Sequence, residues 1–123
     1  MVHPPSNGRR TKVLDGVSGG ASWAYSDPID DLLMFNDVVV YLNNQHATQT
    51  VDYCVQVTVD RRDTTNAEWV TVISQATLAA NTAIVLTHTD AVDLDAPWDA
   101  IRVGYIRTDG SNLGTLYAWV ARR

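Results

Sequence analysis

The densest run of chemistry-bearing side chains is DAVDLDAPWD, residues 90–99, which carries Asp90, Asp93, Asp95 and Asp99. Several carboxylates on one loop are the donor set of a hard cation, and calcium prefers such oxygen ligands. The spacing is not that of an EF-hand, and Pro97 restricts the backbone that would have to wrap an ion. The stretch reads either as a solvated acidic loop or as a calcium site on those four aspartates. The solvated loop is the expectation, with no metal and no other cofactor. His3, His46 and His88 fall in three separate regions, and none has a second His or Cys at metal-ligand spacing. Each is expected at the surface or in a hydrogen bond. Cys54 is the only cysteine, so no disulfide can form within the chain. It sits in the middle of an apolar alternation and reads as a small buried hydrophobe rather than a catalytic thiol.

Motifs for catalysis are missing. The sequence has no G-x-S-x-G, phosphate-binding P-loop, dinucleotide-binding glycine pattern or H-E-x-x-H. A carboxylate pair for glycoside hydrolysis needs a deep cleft, and a small β domain has little wall to build one. The expectation is therefore a protein that is not an enzyme. Four Trp and five Tyr against one Phe suit half-buried sheet faces and interfaces, because both ring types combine a large apolar area with a polar edge. Trp23, Trp69, Trp98 and Trp119 would stack on sugar rings if several were exposed in a row. Packing is their plainer role.

Charge is unevenly placed. Arg9, Arg10 and Lys12 occur in the first fourteen residues with no acid among them; that segment carries +3, and the remainder carries −8 of the overall −5. An acidic body argues against nucleic acid as the main partner, since phosphate binding needs a concentrated basic surface. A basic leader on such a body suggests a contact arm, with Arg9, Arg10 and Lys12 as the partner contacts; a solvated terminus is the other reading. MVHPPSNGRR has no apolar stretch, so no secretory signal is expected. No apolar run approaches the roughly 20 residues that cross a bilayer, so no membrane partner is expected either.

With 123 residues, 46% of them apolar, the chain suits one domain with one core. Residues 1–22 hold Pro4, Pro5 and the run DGVSGGAS, and are read as an extended N-terminal arm and loop; residues 23–123 are read as the folded domain. Trp23–Tyr25 predicts a short strand, and IDDLLMF (29–35) either one helical turn or a lead into the next strand. DVVVYLN (37–43) is apolar on both faces, as in a central strand. VDYCVQVTV (51–59) alternates most cleanly, with Val51, Tyr53, Val55, Val57 and Val59 inward. Further strands are predicted at 69–74, around 83–87, at 100–108 and from Leu113 onward. Seven or eight strands so closely spaced leave no room for crossover helices. The fold class is all-β, an antiparallel β-sandwich or jelly roll.

At TQTVDYCVQVTVDRRDTTNAEWVTVISQATLAANTAIVLTH, PWDAIRVGYIRT and GTLYAWVARR the chain resembles small β-sandwich structural proteins of tailed viruses. The x-W-x-x-V strand start falls on Trp69–Val72, the I-R-V strand on Ile101–Val103, and the terminal strand on Leu116–Val120. The resemblance covers about residues 36–123 and transfers no catalytic residue. It implies a virion structural protein that attaches to and stabilises a capsid, or forms a neck or tail component. Its implied partners are the major capsid protein or other virion proteins and further copies of itself, and its implied location is the virion, after synthesis in the host cytoplasm. Carbohydrate-binding modules share the same strand grammar, so a carbohydrate- or surface-binding sandwich is the alternative.

Overall fold

A computed structural model of the chain describes residues 9–30, 32, 35–60, 68–95, 98–109 and 112–123. Among the described residues eight strands form two antiparallel four-stranded sheets. The strands are β1 (Arg9–Val17), β2 (Ala24–Tyr25), β3 (Val38–Asn44), β4 (Val51–Thr58), β5 (Trp69–Leu78), β6 (Thr82–Leu86), β7 (Ala100–Arg107) and β8 (Leu116–Arg122), with a 3-10 turn at Val92–Asp95. One sheet has the order β1-β8-β3-β6, the other β2-β7-β4-β5. The architecture is a β-sandwich, as the strand pattern predicts.

Period-2 alternation builds the core. In the first sheet β3 turns Val38, Val40 and Leu42 inward, and β8 turns Leu116, Ala118 and Val120 inward; in the second, β4 supplies Val51, Tyr53, Val55 and Val57, and β7 supplies Ile101 and Val103. Leu14, Leu78, Leu86 and Leu94 close the margins of the same cluster. Each fully buried aliphatic side chain contributes about 1.5–3 kcal/mol. Val59 departs from the alternation: it is 64% exposed, because β4 stops at Thr58. There the Thr58 carbonyl accepts from Asp99 N (2.8 Å), and Thr58 Oγ1 accepts from Asp60 N (3.2 Å).

The basic stretch differs from an extended arm. Arg9–Val17 forms β1, an edge strand paired along β8 from Arg9↔Arg122 to Val17↔Leu116. Its apolar residues, Val13, Leu14 and Val17, follow no period of two, and the strand is specified by its partner. Two register shifts bend it, one between Lys12 and Leu14 and one between Leu14 and Val17. Residues 1–8, including His3, lie outside the described residues, as do 61–67. In 29–35, Ile29 makes an isolated bridge to Ile101 and Leu32 is buried; Asp31, Leu33 and Met34 lie outside the described residues.

The outer face of the second sheet is polar but tightly tied. Asp52 is buried, and accepts from Gln75 Nε2 (2.5 Å), Thr77 Oγ1 (2.7 Å) and Thr108 Oγ1 (3.0 Å). Beside it, Gly104 leaves room for its neighbours. A Cβ there would lie 2.7 Å from Cys54 Sγ and 2.9 Å from the Tyr25 ring. Burial pushes the Cys54 thiol up, against smaller opposing pulls from the Gly104 backbone hydrogen bond and the Arg102 charge. Burial, then the charge of Asp90, pushes the Tyr53 phenol up. Both groups hold their protons more tightly folded than unfolded. Their contribution to stability is therefore whole below the ordinary thiol and phenol ranges, and is lost as the pH climbs through the raised values. Cys54 is expected to stay unmodified by an aromatic disulfide reagent at pH 8 in the native chain and to react fully in urea. A native thiol reacting at the unfolded rate would contradict this burial.

Candidate functional site

The antiparallel register of β1 on β8 sets Arg9 opposite Arg122 and Arg10 opposite Ala121. β3 runs along the other side of β8, with Val38 opposite Arg122 and Val39 opposite Ala121. The beginning of β1, the end of β8 and the beginning of β3 therefore meet at one corner of the sandwich. A pocket of about 570 Å³ opens there. Arg9, Arg10, Arg122 and Arg123 line it together with Asp37 and Asp95; Val38, Val39 and Ala121 give it apolar wall, and Thr87 and His88 complete the rim.

Its walls are held in place. Arg122 is only 4% exposed, and its Nη1 donates to Thr11 Oγ1 and to the Val120 carbonyl, both at 3.1 Å. Its guanidinium lies 5.7 Å from the centre of the Phe35 ring. Arg123 is pinned through its backbone: its N–H donates to the Asp37 carbonyl (2.9 Å), and its own carbonyl accepts from Asn36 N (2.9 Å) and Asp37 N (2.8 Å). Its Nη2 also meets Asp37 Oδ2 at 3.2 Å. Asp95 Oδ1 accepts from Val38 N (3.1 Å), and its Oδ2 lies 3.5 Å from His88 Nδ1. Both carboxylates in the lining are thus engaged, in a pocket with four guanidinium groups.

Of the three basic residues singled out in the sequence, Arg9 and Arg10 reach this pocket and Lys12 does not. Lys12 Nζ bonds Asp15 (3.4 Å) and sits 5.5 Å and 5.2 Å from the ring centres of Tyr117 and Trp119 on the outer face of the sheet. Arg122 and Arg123 escaped sequence reasoning; their one signal was the arginine pair that closes AWVARR, which gains meaning only once β8 is known to lie beside β1.

The acidic stretch 90–99 does not gather into a cage. Among the described residues no group of three or more His, Cys, Asp or Glu is placed to hold a metal ion. Asp90 Oδ2 accepts from Thr87 N (2.8 Å), closing a turn, and the Asp93 carbonyl takes the Trp98 indole N–H (2.6 Å). Asp95 is committed to Val38 and His88, and Asp99 binds the end of β4 through its backbone. His46 closes the β3–β4 turn, its Nδ1 accepting from Thr48 N (3.1 Å) and Gln49 N (3.0 Å).

The tryptophans divide between the two outer faces and the loop. Trp119 packs edge-on to Tyr41 (5.2 Å) and nearly parallel to Tyr117 (6.3 Å). On the second sheet the guanidinium of Arg102 lies 3.8 Å from the Tyr25 ring centre and 4.2 Å from that of Trp69. Its Nε donates to Gln56 Oε1 (2.9 Å). Trp23 lies nearly parallel to Tyr25 at 6.5 Å, and Trp98 packs against the core.

No protein-family model matches the chain, and no curated protein matches it. Solved structures do. The PBSX exported protein XepA matches at 14% identity and a TM-score of 0.59, over 98% of this chain and 39% of that one. The structure of infectious bursal disease virus, Gx strain, matches at 14% identity and a TM-score of 0.52, over 94% of this chain and 32% of that one. The T13 viral particle of the same virus contains a chain matching at 12% identity and a TM-score of 0.50, over 94% of this chain and 31% of that one. The chain therefore spans about a third of the length of these proteins, and what it shares with them is the β-sandwich fold.

Proposed function

We propose that the chain is a structural protein of a virus particle, attached to the capsid of a tailed virus as a decoration protein or built into its neck or tail. The observation that carries this reading is the arginine-lined corner on an otherwise acidic sandwich. It is a localised, pre-shaped contact surface, suited to docking on an acidic partner such as the major capsid protein. The fold shared with chains of infectious bursal disease virus supports the same reading. The protein acts as a homo-oligomer without enzymatic activity, and repeated weak contacts across a particle lattice give it avidity.

The aromatic faces favour this reading over a carbohydrate-binding module. Lys12 lies over the Tyr117 and Trp119 rings, and Arg102 lies over Tyr25 and Trp69. Cations thus occupy ring faces on which a sugar would have to stack.

The test is mass spectrometry on gradient-purified particles, with peptide copy number scaled to the major shell protein. A fixed stoichiometric ratio is expected, high for a head decoration and low for a neck or tail part. Absence from clean particles would overturn the reading.

A further inference from the structure

We propose that the outer face of the first sheet is a dimer interface. It packs on the same face of a second copy of this chain, about a two-fold axis that runs along the strands between β8 and β3, so that β1 of each copy lies across β6 of the other. This rests on the homo-oligomeric part of the virion reading, and it names the surface through which two copies meet.

The sequence marks this face first. β3 is apolar on both sides, as suits a strand covered on both sides, yet only its inner side meets the core. Its Val39 and Tyr41 point outward. Level with them and with Asn43 stand Ala83 and Val85 on β6, and Tyr117 and Trp119 on β8. None of these side chains is charged, and Val85 is 53% exposed. The second sheet shows what a solvent face of this chain looks like. There Asp52 bonds Gln75, and Gln56 bonds Thr71 and Arg102. An outer face of apolar and aromatic side chains is instead the composition of a contact surface.

Charge and shape choose a second copy as the occupant. The chain carries −5 overall, so two copies repel wherever acid meets acid, and an uncharged face is where they can approach. Among the described residues the cations of this face lie on β1: Lys12 is level with Trp119 and Arg10 with Ala121. Laying β1 on β1 would set like charges together, whereas laying β1 on β6 keeps them apart. The register shows what then meets. One row runs straight across the sheet through Lys12, Trp119, Tyr41 and Val85. A two-fold axis between β8 and β3 lays that row on itself reversed, with Lys12 over Val85 and Trp119 over Tyr41 of the other copy. The heights agree. Lys12 stands over the rings of Tyr117 and Trp119, 5.5 Å and 5.2 Å from their centres, while β6 offers only Ala83 and Val85. The tall half of each face thus rests on the low half of the other, at the roughly 10 Å spacing of packed sheets. One sheet face is a small contact, so the dimer is weak, of the kind that a particle lattice multiplies.

The experiment is sedimentation velocity on the full chain, at concentrations up to about 1 mM. A monomer–dimer equilibrium is expected. Val85→Lys sets a cation against Lys12 of the second copy, and should raise the dimer Kd at least tenfold with an unchanged melting temperature, as Val85 is exposed on an edge strand. Val85→Glu offers Lys12 a partner and should dimerise more tightly than Val85→Lys. Ser74→Lys adds the same charge at an exposed position of β5, on the second sheet, and should change nothing. A chain monomeric throughout, equal dimerisation by Val85→Lys, equal loss in Ser74→Lys, or Val85→Glu weaker than Val85→Lys would each overturn the proposal. So would a monomer whose Val85→Lys variant is lost from particles, since another virion protein would then cover the face. A chain found in particles yet monomeric in solution sinks this inference alone; a dimer with these responses in a chain absent from particles supports it and sinks the virion reading.

Discussion

Replacing Asn44 by Ala will lower the unfolding free energy by about 4 kcal/mol, and the melting temperature by roughly 15 °C. Asn44 ends β3 at 0% exposure. Its Nδ2 donates to the Gln49 carbonyl (2.8 Å) and faces the carbonyls of Ala79 (3.2 Å) and Leu78 (3.3 Å). Its Oδ1 accepts from Thr115 N (2.9 Å) and His46 N (3.2 Å). One side chain thus joins the β3–β4 turn, the end of β5 and the approach to β8. Its removal leaves peptide groups buried without partners, at about 1–3 kcal/mol each. Asn44→Asp separates shape from hydrogen bonding, since it keeps the volume and the acceptor but turns a second oxygen toward three carbonyls. It should cost as much as Asn44→Ala or more. If Asn44→Asp is nearly neutral in urea unfolding, the side chain fills space and does not tie the corner.

Gly114→Ala should cost about 3 kcal/mol for two separate reasons. Gly114 has φ +65°, in the left-handed region where an L side chain costs about 1–2 kcal/mol. A Cβ there would also lie 2.5 Å from Val51 Cβ and 3.2 Å from the Thr50 carbonyl oxygen, an overlap worth about 1–3 kcal/mol. Because the shortest contact is with Val51 Cβ, which alanine keeps, the double variant Gly114→Ala/Val51→Ala relieves only the milder contact with Cγ1 (3.1 Å), while the core loses two methyl groups besides. Gly20→Ala is the control. No heavy atom lies within 4 Å of its added Cβ, and its cost should stay within about 0.5 kcal/mol. Equal melting temperatures for the two alanine variants would refute the argument.

The strands that alternate for themselves could be read directly. β3 and β8 alternate buried and half-buried positions over seven residues, and β4 alternates its apolar Val51, Tyr53, Val55 and Val57 in sequence. β1 could not be read, since Lys12, Val13, Leu14 and Asp15 carry no clean period and two bulges break what there is. The candidate site was half legible. Arg9 and Arg10 stood out as charge without acid nearby, but Arg122 and Arg123 join them through sheet order, which local sequence does not encode. Asn44 was hidden for a related reason. It reads as one more polar turn residue in NNQHATQT, and its five partners are distributed over segments that only the fold brings together. The aspartates of the acidic loop look concentrated along the chain, yet Asp90 turns to the Thr87 N–H and Asp95 to the Val38 N–H and His88.

The position of β8 between β1 and β3 also governs the order in which the molecule can assemble. Within the first sheet, only β3 and β6 can pair before β8 has been made. Among the described strands β1 pairs only with β8, and the bond from Arg122 to Thr11 spans 111 residues. Closing so long a loop costs entropy before any contact repays it, which puts the chain among the slow folders, on the order of milliseconds to seconds. The second sheet holds a local β4–β5 pair that can form early. The corner that gathers the arginines forms only once β8 has joined β1 and β3, so a chain still lacking β8 cannot present it to a partner.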